Sequence, residues 1–310
     1  MAKADEINGL SCNMVAAHGA AIILRARFEE MSALRAAALD FSSIDGIHDM
    51  RVGMRRMRNA MRDLRHVLKK DHYKHFNKQL KKMYDRVGAV RDEDVAIDSL
   101  GKMRAKTDSE IVRQGIDNLI HAHHESREAA RDKLRDSLTA ERFAELESDL
   151  TALLHAVEEG AHAERSFEDV GRESVERILK KFCKLSDNLY TAYDFEALHK
   201  FRIASKRLRT ALELFGMCWS EEAEPFIEEV ARMQLILGRV HDRDGWLTDL
   251  TARLNHENKK VLIVDGLAAK WIAAKLVKKR NKNYNVALQL WKDWEAKDLI
   301  GKLRETIAQK

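Results

Sequence analysis

Residues Ile47 to Leu68 read IHDMRVGMRRMRNAMRDLRHVL. Placed on a helix, the stretch carries two stripes. Ile47, Met50, Met54, Met57, Met61, Leu64 and Leu68 recur at spacings of three and four. His48, Arg51, Arg55, Arg58, Arg62 and Arg65 keep the same rhythm one position later. At 3.6 residues per turn the stripes stand about 100° apart around the axis, so one can be buried while the other faces water or an anion. From His48 to Arg62 the basic row runs about 21 Å at 1.5 Å per residue. Guanidinium groups in one row repel each other, and a solvated face does not need that arrangement. An extended anion is the natural partner.

Around this stretch the composition is that of a folded helical protein. A chain of 310 residues has room for two ordinary domains or one large one, and 45% hydrophobic content is enough for a core. There is one proline, Pro225, and amphipathic patterns rich in Ala, Leu, Glu, Lys and Arg fill long segments. No run of alternating β-branched residues stands out, so the chain reads as all-α. The net charge is only +5. Between His48 and Lys82, however, twelve lysines and arginines face three carboxylates, which makes a patch rather than a general excess. Cys12, Cys183 and Cys218 form no CxxC, which argues against a disulfide framework or a thiolate zinc site and fits a reducing compartment. The apolar run Met14 to Leu24 is too short to span a bilayer and leads into Arg25 and Arg27. Asp5 and Glu6 follow Lys3 where a signal peptide wants a cationic start. A cytoplasmic protein with no membrane partner is expected.

The pattern predicts a first helix from Leu10 to Leu39, then a stop at Ser42-Ser43-Ile44-Asp45 with Ser43 as N-cap. The basic helix follows to about Lys70, a third runs from Asp71 to near Gly101, a fourth from Asp108 to Ser137, and a fifth from Glu141 to Glu158, ending at Gly160. The second half repeats the first. Asp194 stands where Ser43 stood, and LHKFRIASKRLRTALELF from Leu198 aligns with the stretch from Ile47. His199, Arg202, Lys206, Arg207 and Arg209 fall 151 residues after His48, Arg51, Arg55, Arg56 and Arg58. VGAVRDEDVAIDSL from Val87 aligns with LGRVHDRDGWLTDL from Leu237 at a separation of 150. Two markers at nearly one offset indicate an internal duplication, with residues 1–160 as the first helical bundle and 161–310 as the second.

A duplicated His-x-x-Arg-[Val/Ile]-x-x-[Arg/Lys]-Arg-[Met/Leu]-Arg helix, followed each time after about 40 residues by Gly-x-x-[Arg/His]-Asp-x-Asp, resembles the CHAD (conserved histidine α-helical domain) family. The resemblance covers Leu10 to about Leu303. It implies two four-helix bundles related by a pseudo-twofold axis, a basic central channel and binding of inorganic polyphosphate. The residues it assigns to that ligand are His48, Arg51, Arg55, Arg56, Arg58, Arg62, Arg65, His199, Arg202, Lys206, Arg207 and Arg209. Lys206 departs from the arginine of the first copy, Glu213 interrupts the second row where Arg62 stands in the first, and His241 replaces Arg91. The second row should therefore bind more weakly.

The chemistry of the rows favours phosphate. An arginine fork donates two hydrogen bonds to one phosphoryl group, and affinity resting on counterion release falls steeply with salt. His48 and His199 sit early in their helices beside arginines, and both conditions disfavour imidazolium. Asp92, Asp94, Asp242 and Asp244 are a weak metal signal, and a structural role suits them better. On a helical wheel Arg56 and Arg207 leave the main row, so they are expected to pair with Asp92 and Asp242. His121, His123, His124 and Glu125 lack a convincing third ligand for a metal site. The tract Lys278 to Lys282 reads as a solvated helix end, and Trp219, Trp246, Trp271, Trp291 and Trp294 as packing residues. The sequence thus points to a non-catalytic polyphosphate-binding protein that needs no cofactor or metal and is targeted to polyphosphate granules. Nucleic acid is a poorer partner: no helix-turn-helix, zinc knuckle or aromatics interleave with the row. An enzyme acting on phosphoanhydrides would want clustered carboxylates or an activated nucleophile beside it. The oligomeric state stays open.

Overall fold

The computed structural model describes residues 7–158, 164–254 and 262–308. Among them the regular structure is helical, and one isolated bridge pairs Val15 with Ser166. The helices are α1 (Ala16–Ala33), α2 (Arg35–Leu39), α3 (Asp45–Asp63), α4 (Lys70–Arg104), α5 (Glu110–Arg135), α6 (Ala140–Glu158), α7 (Phe167–Leu185), α8 (Phe195–Phe215), α9 (Glu224–Leu254), α10 (Leu262–Ala296) and α11 (Leu299–Ala308). No helix among the described residues is long and apolar enough to cross a membrane. The chain divides into two compact units, Met1–Ser99 with Ile120–Val170, and Leu100–Leu119 with Gly171–Lys310. The junction expected near Gly160 lies outside the described residues.

In the first unit the apolar stripe of α3 is the core. Ile47, Met50, Met54, Met57, Met61 and Leu64 are all buried, together with Phe28 and Met31 of α1. Unbranched methionine fills irregular gaps between helices well, which suits a stripe that must meet both α1 and α2. Close approach is enforced at Gly46, where a Cβ would fall 2.0 Å from the Ala37 carbonyl oxygen of α2. The expected N-cap, Ser43, is displaced by one residue, and no side chain caps α3. Ile44 is the cap, and Ser43 Oγ accepts from the Asp45 N–H at 3.1 Å.

The end of α3 departs from expectation. The helix stops at Asp63 rather than near Lys70, because Leu64, Val67 and Leu68 tuck into the core through a tight turn. Arg65 is therefore exposed and lies past the helical row. The first helix also starts later than expected, at Ala16, since Ala16 N–H is tied to the Arg165 carbonyl.

The second unit has an aromatic core. Phe182 of α7, Phe201 of α8 and Trp291 and Trp294 of α10 are buried with ring centroids 5.0–6.4 Å apart. The Trp294 indole N–H donates to Glu229 at 2.7 Å and that of Trp291 to Glu295 at 2.8 Å, so neither buried indole lacks an acceptor. Asp194 caps α8 by accepting from Ala197 N–H at 2.9 Å, as its sequence position predicts. Pro225 is the second residue of α9, in the first turn, where a missing N–H breaks no helical bond.

Candidate anion-binding ridges

Burying the methionine stripe fixes the rotation of α3 and turns its basic row outward. Arg51, Arg55, Arg56, Arg58 and Arg62 are half-buried and His48 is exposed. On α8, burial of Leu198, Phe201, Ala204, Ser205, Leu208 and Leu212 does the same for His199, Arg202, Lys206, Arg207 and Arg209, all half-buried. Half-burial of arginine is expected when the aliphatic stem lies along apolar surface and the head reaches solvent.

Neighbours on α4 hold the first ridge. Arg51 Nη1 donates to the Gly88 carbonyl at 2.9 Å and to Asp92 Oδ1 at 2.8 Å. A Cβ at Gly88 would lie 3.2 Å from that nitrogen, so the guanidinium would have to give by a few tenths of an ångström. The guanidinium of Arg58 lies over the Tyr84 ring at 4.8 Å and that of Arg51 at 5.6 Å. Arg62 grips buried Asp63 with two bonds of 2.9 Å and donates to Asn59 at 3.1 Å. Arg65 Nε donates to His66 Nε2 at 3.3 Å.

Asp92 thus answers to Arg51 and not, as the wheel suggested, to Arg56, which pairs with Glu30 of α1. The reason is tertiary: α4 runs beside the row itself, while α1 covers the side of α3 on which Arg56 stands. An exposed carboxylate on a ridge arginine competes with any incoming anion. Exposed pairs of this kind are worth only about 0.2–1 kcal/mol. Asp92→Asn is therefore expected to tighten binding of an added polyanion about 2- to 5-fold at low salt, read by titration, and to leave the melting temperature nearly unchanged.

The second ridge has different neighbours. Arg209 is held by Glu213 at 2.7 Å, the residue that interrupts the row, and by Gln234 at 3.0 Å. His199 Nδ1 stands 3.2 Å from Nδ1 of His241, the residue that replaces Arg91. Partial desolvation, and then the Arg202 guanidinium, lowers the His199 pKa. For His241 the same causes, with His199 added, bring it down to about 4. At His48 desolvation leads, followed by Arg91; Arg55 adds to them, while Asp49 and Asp45 oppose.

The paired aspartates of the marker motif separate by burial. Asp94 is buried, with Arg127 Nη1 at 3.5 Å, and Asp244 is buried, with Arg280 Nε at 2.8 Å. Desolvation raises both carboxyl pKa values, and the facing arginines work against it. Arg280 is 3% exposed, donates to the Ala192 carbonyl at 2.5 Å, and lies over Phe195 at 5.2 Å, so it fixes the entry to α8. Reading Lys278 to Lys282 as one solvated tract missed it. The signal was there: Arg280 falls on the rhythm of buried Ile272, Leu276 and Ala287. His123 sits 2.6 Å from Glu93, while exposed His121 faces Glu125 at 3.4 Å, so the histidines of that run do not converge. No group of three or more metal-ligating side chains comes together among the described residues.

Fold and ridges together define a class: an all-helical chain that presents arginine-rich faces on helices with buried backs. The family follows from comparison. The CHAD domain model matches residues 22–251, and the chain belongs to that family. Among solved structures, the CHAD domain from the plant Ricinus communis aligns with a TM-score of 0.68 at 22% identity, covering 90% of this chain and 95% of the other. PptA from Streptomyces chartreusis aligns with a TM-score of 0.67 at 14% identity, covering 90% of this chain and all of the other. No curated protein matches the chain.

Proposed function

We propose that the protein binds inorganic polyphosphate along the α3 and α8 ridges without catalysing its turnover, and that binding directs it to polyphosphate granules in the cytoplasm. One observation carries this reading: each ridge presents half-buried cations from a helix whose opposite face is locked into a core. Their stems are held, so less rotamer freedom is lost on binding than for free surface lysines. Family membership supports the ligand class, since the CHAD resemblance implies inorganic polyphosphate as the ligand of both helices. The carboxylates nearest the ridges support a binding role, because Asp92, Asp63 and Glu213 are engaged by arginine rather than gathered as a metal site. Competition tests the reading. Long-chain polyphosphate should displace labelled single-stranded RNA far better than the reverse. Release of orthophosphate with Mg²⁺ or Mn²⁺ present would overturn the non-catalytic part.

The histidines set a pH dependence. In the free protein His48 and His199 titrate below the ordinary imidazole value of 6.5. A polyanion alongside favours imidazolium, so the bound value lies above the free one and binding takes up protons. Affinity should rise as pH falls from the bound value to the free value, by up to about tenfold per pH unit for each histidine that gains a full proton, and level off below. Titrations between pH 8 and 5.5 check this, and His48→Gln with His199→Gln should flatten the profile. Stability of the free protein has the opposite sign. The depressed values contribute stability that is present above the unfolded value and lost as pH falls through the folded one.

A further inference from the structure

The α8 ridge does not end at His199. Phe195, His199, Arg202, Lys206 and Arg209 follow spacings of four, three, four and three, so all five lie within a sector of about 80° on one helix face. Phe195 is 43% exposed, and Tyr193, two residues before it, is 80% exposed. The buried Arg280 guanidinium lies 5.2 Å from the Phe195 centroid and 5.8 Å from that of Tyr193. A ring held on one face by a guanidinium and open on the other is a ready stacking platform. It starts one turn, about 6 Å, before His199 and about 10 Å before Arg202 along the axis. Two carboxylates at the start of α8 are already engaged. Asp194 accepts from Ala197 N–H at 2.9 Å, and Glu196 pairs with Lys200 at 2.8 Å.

The geometry points to a second ligand class for this ridge: a nucleobase carried on a 5′-oligophosphate, stacked on Phe195 and Tyr193 with its phosphates on His199, Arg202 and Lys206. This rests on the anion-binding reading of the ridge. The first copy supplies an internal control. Ile44 occupies the position of Phe195 one turn before His48 and is 42% exposed, but an aliphatic side chain offers no ring to stack on. The base-bearing end therefore belongs to α8.

The test compares inorganic tetraphosphate with adenosine 5′-tetraphosphate by titration at low salt, alongside long-chain polyphosphate. Stacking on exposed aromatics should make the nucleoside compound bind at least about 5-fold tighter than inorganic tetraphosphate. Tyr193→Ser and Phe195→Leu should each reduce that preference and together abolish it, with inorganic tetraphosphate unaffected. Ile44→Ser should leave the preference intact. A 5′-triphosphorylated RNA run in parallel distinguishes a free nucleotide from a strand end as the source of the base. Equal affinity of the two tetraphosphates in the unsubstituted protein overturns the inference while long-chain binding keeps the polyphosphate reading standing. Failure of every phosphate compound to bind overturns both.

Discussion

Arg51→Gln, Arg55→Gln and Arg58→Gln combined are expected to weaken polyphosphate binding by about 100-fold at low salt, at roughly 1 kcal/mol for each guanidinium removed. Counterion release adds a second signature: the slope of log affinity against log salt should shrink by about 2, near 0.7 per cation removed. The fold should survive, because these residues stand on the outer face of α3 while Met50, Met54 and Met57 hold the inner one. Arg62 is left in place deliberately. It bonds Asp63, which is 2% exposed, and its removal would damage stability and affinity together. The matching set on α8, Arg202→Gln, Lys206→Gln and Arg209→Gln, should cost less, roughly 10- to 30-fold, because Arg209 is already bonded by Glu213. Equal losses for the two sets would remove the asymmetry, and no loss for either would remove the ridges from the site.

The largest effect on stability should come from Arg280→Met. The substitution keeps the packing volume but leaves the Asp244 carboxylate buried without its guanidinium. Breaking a buried pair from one side costs about 3–5 kcal/mol, which for a chain of this size is a melting temperature lower by roughly 5–8 °C. The sign with pH follows from Asp244, whose pKa is already raised, first by desolvation. Without Arg280 it rises further. A carboxyl with a raised folded value contributes stability below the unfolded value and loses it as pH rises through the folded one. The deficit of Arg280→Met should therefore be greatest at neutral pH and shrink toward the ordinary carboxyl range. Asp244→Asn added to Arg280→Met should recover part of it. Thermal melts of the single and double variants between pH 4 and 7.5 decide the matter, and a deficit that ignores both pH and Asp244→Asn would mean that poorer packing, not an orphaned charge, is the cause.

The same residues show what could be read without coordinates. The two stripes were legible because burial follows the helical period, and Met50, Met54 and Met57 could only face inward once the arginines faced out. Asp194 as a cap was legible because capping is local. The partner of Asp92 was not, because a wheel gives angles on one helix and says nothing of which neighbour comes alongside. The end of α3 was missed for a related reason. Leu64 and Leu68 keep the helical rhythm in sequence, yet a turn buries both just as well. Tyr84 beneath Arg58 also depends on the packing of two helices and left no trace in the spacing.

Titration of the unsubstituted protein with polyphosphates of graded length, at several salt concentrations, tests the account most directly. Affinity should climb with length as more cations of a ridge are engaged, then level off, and should fall steeply with salt at every length. Affinity that is flat in both length and salt, or absent at low ionic strength, would contradict it.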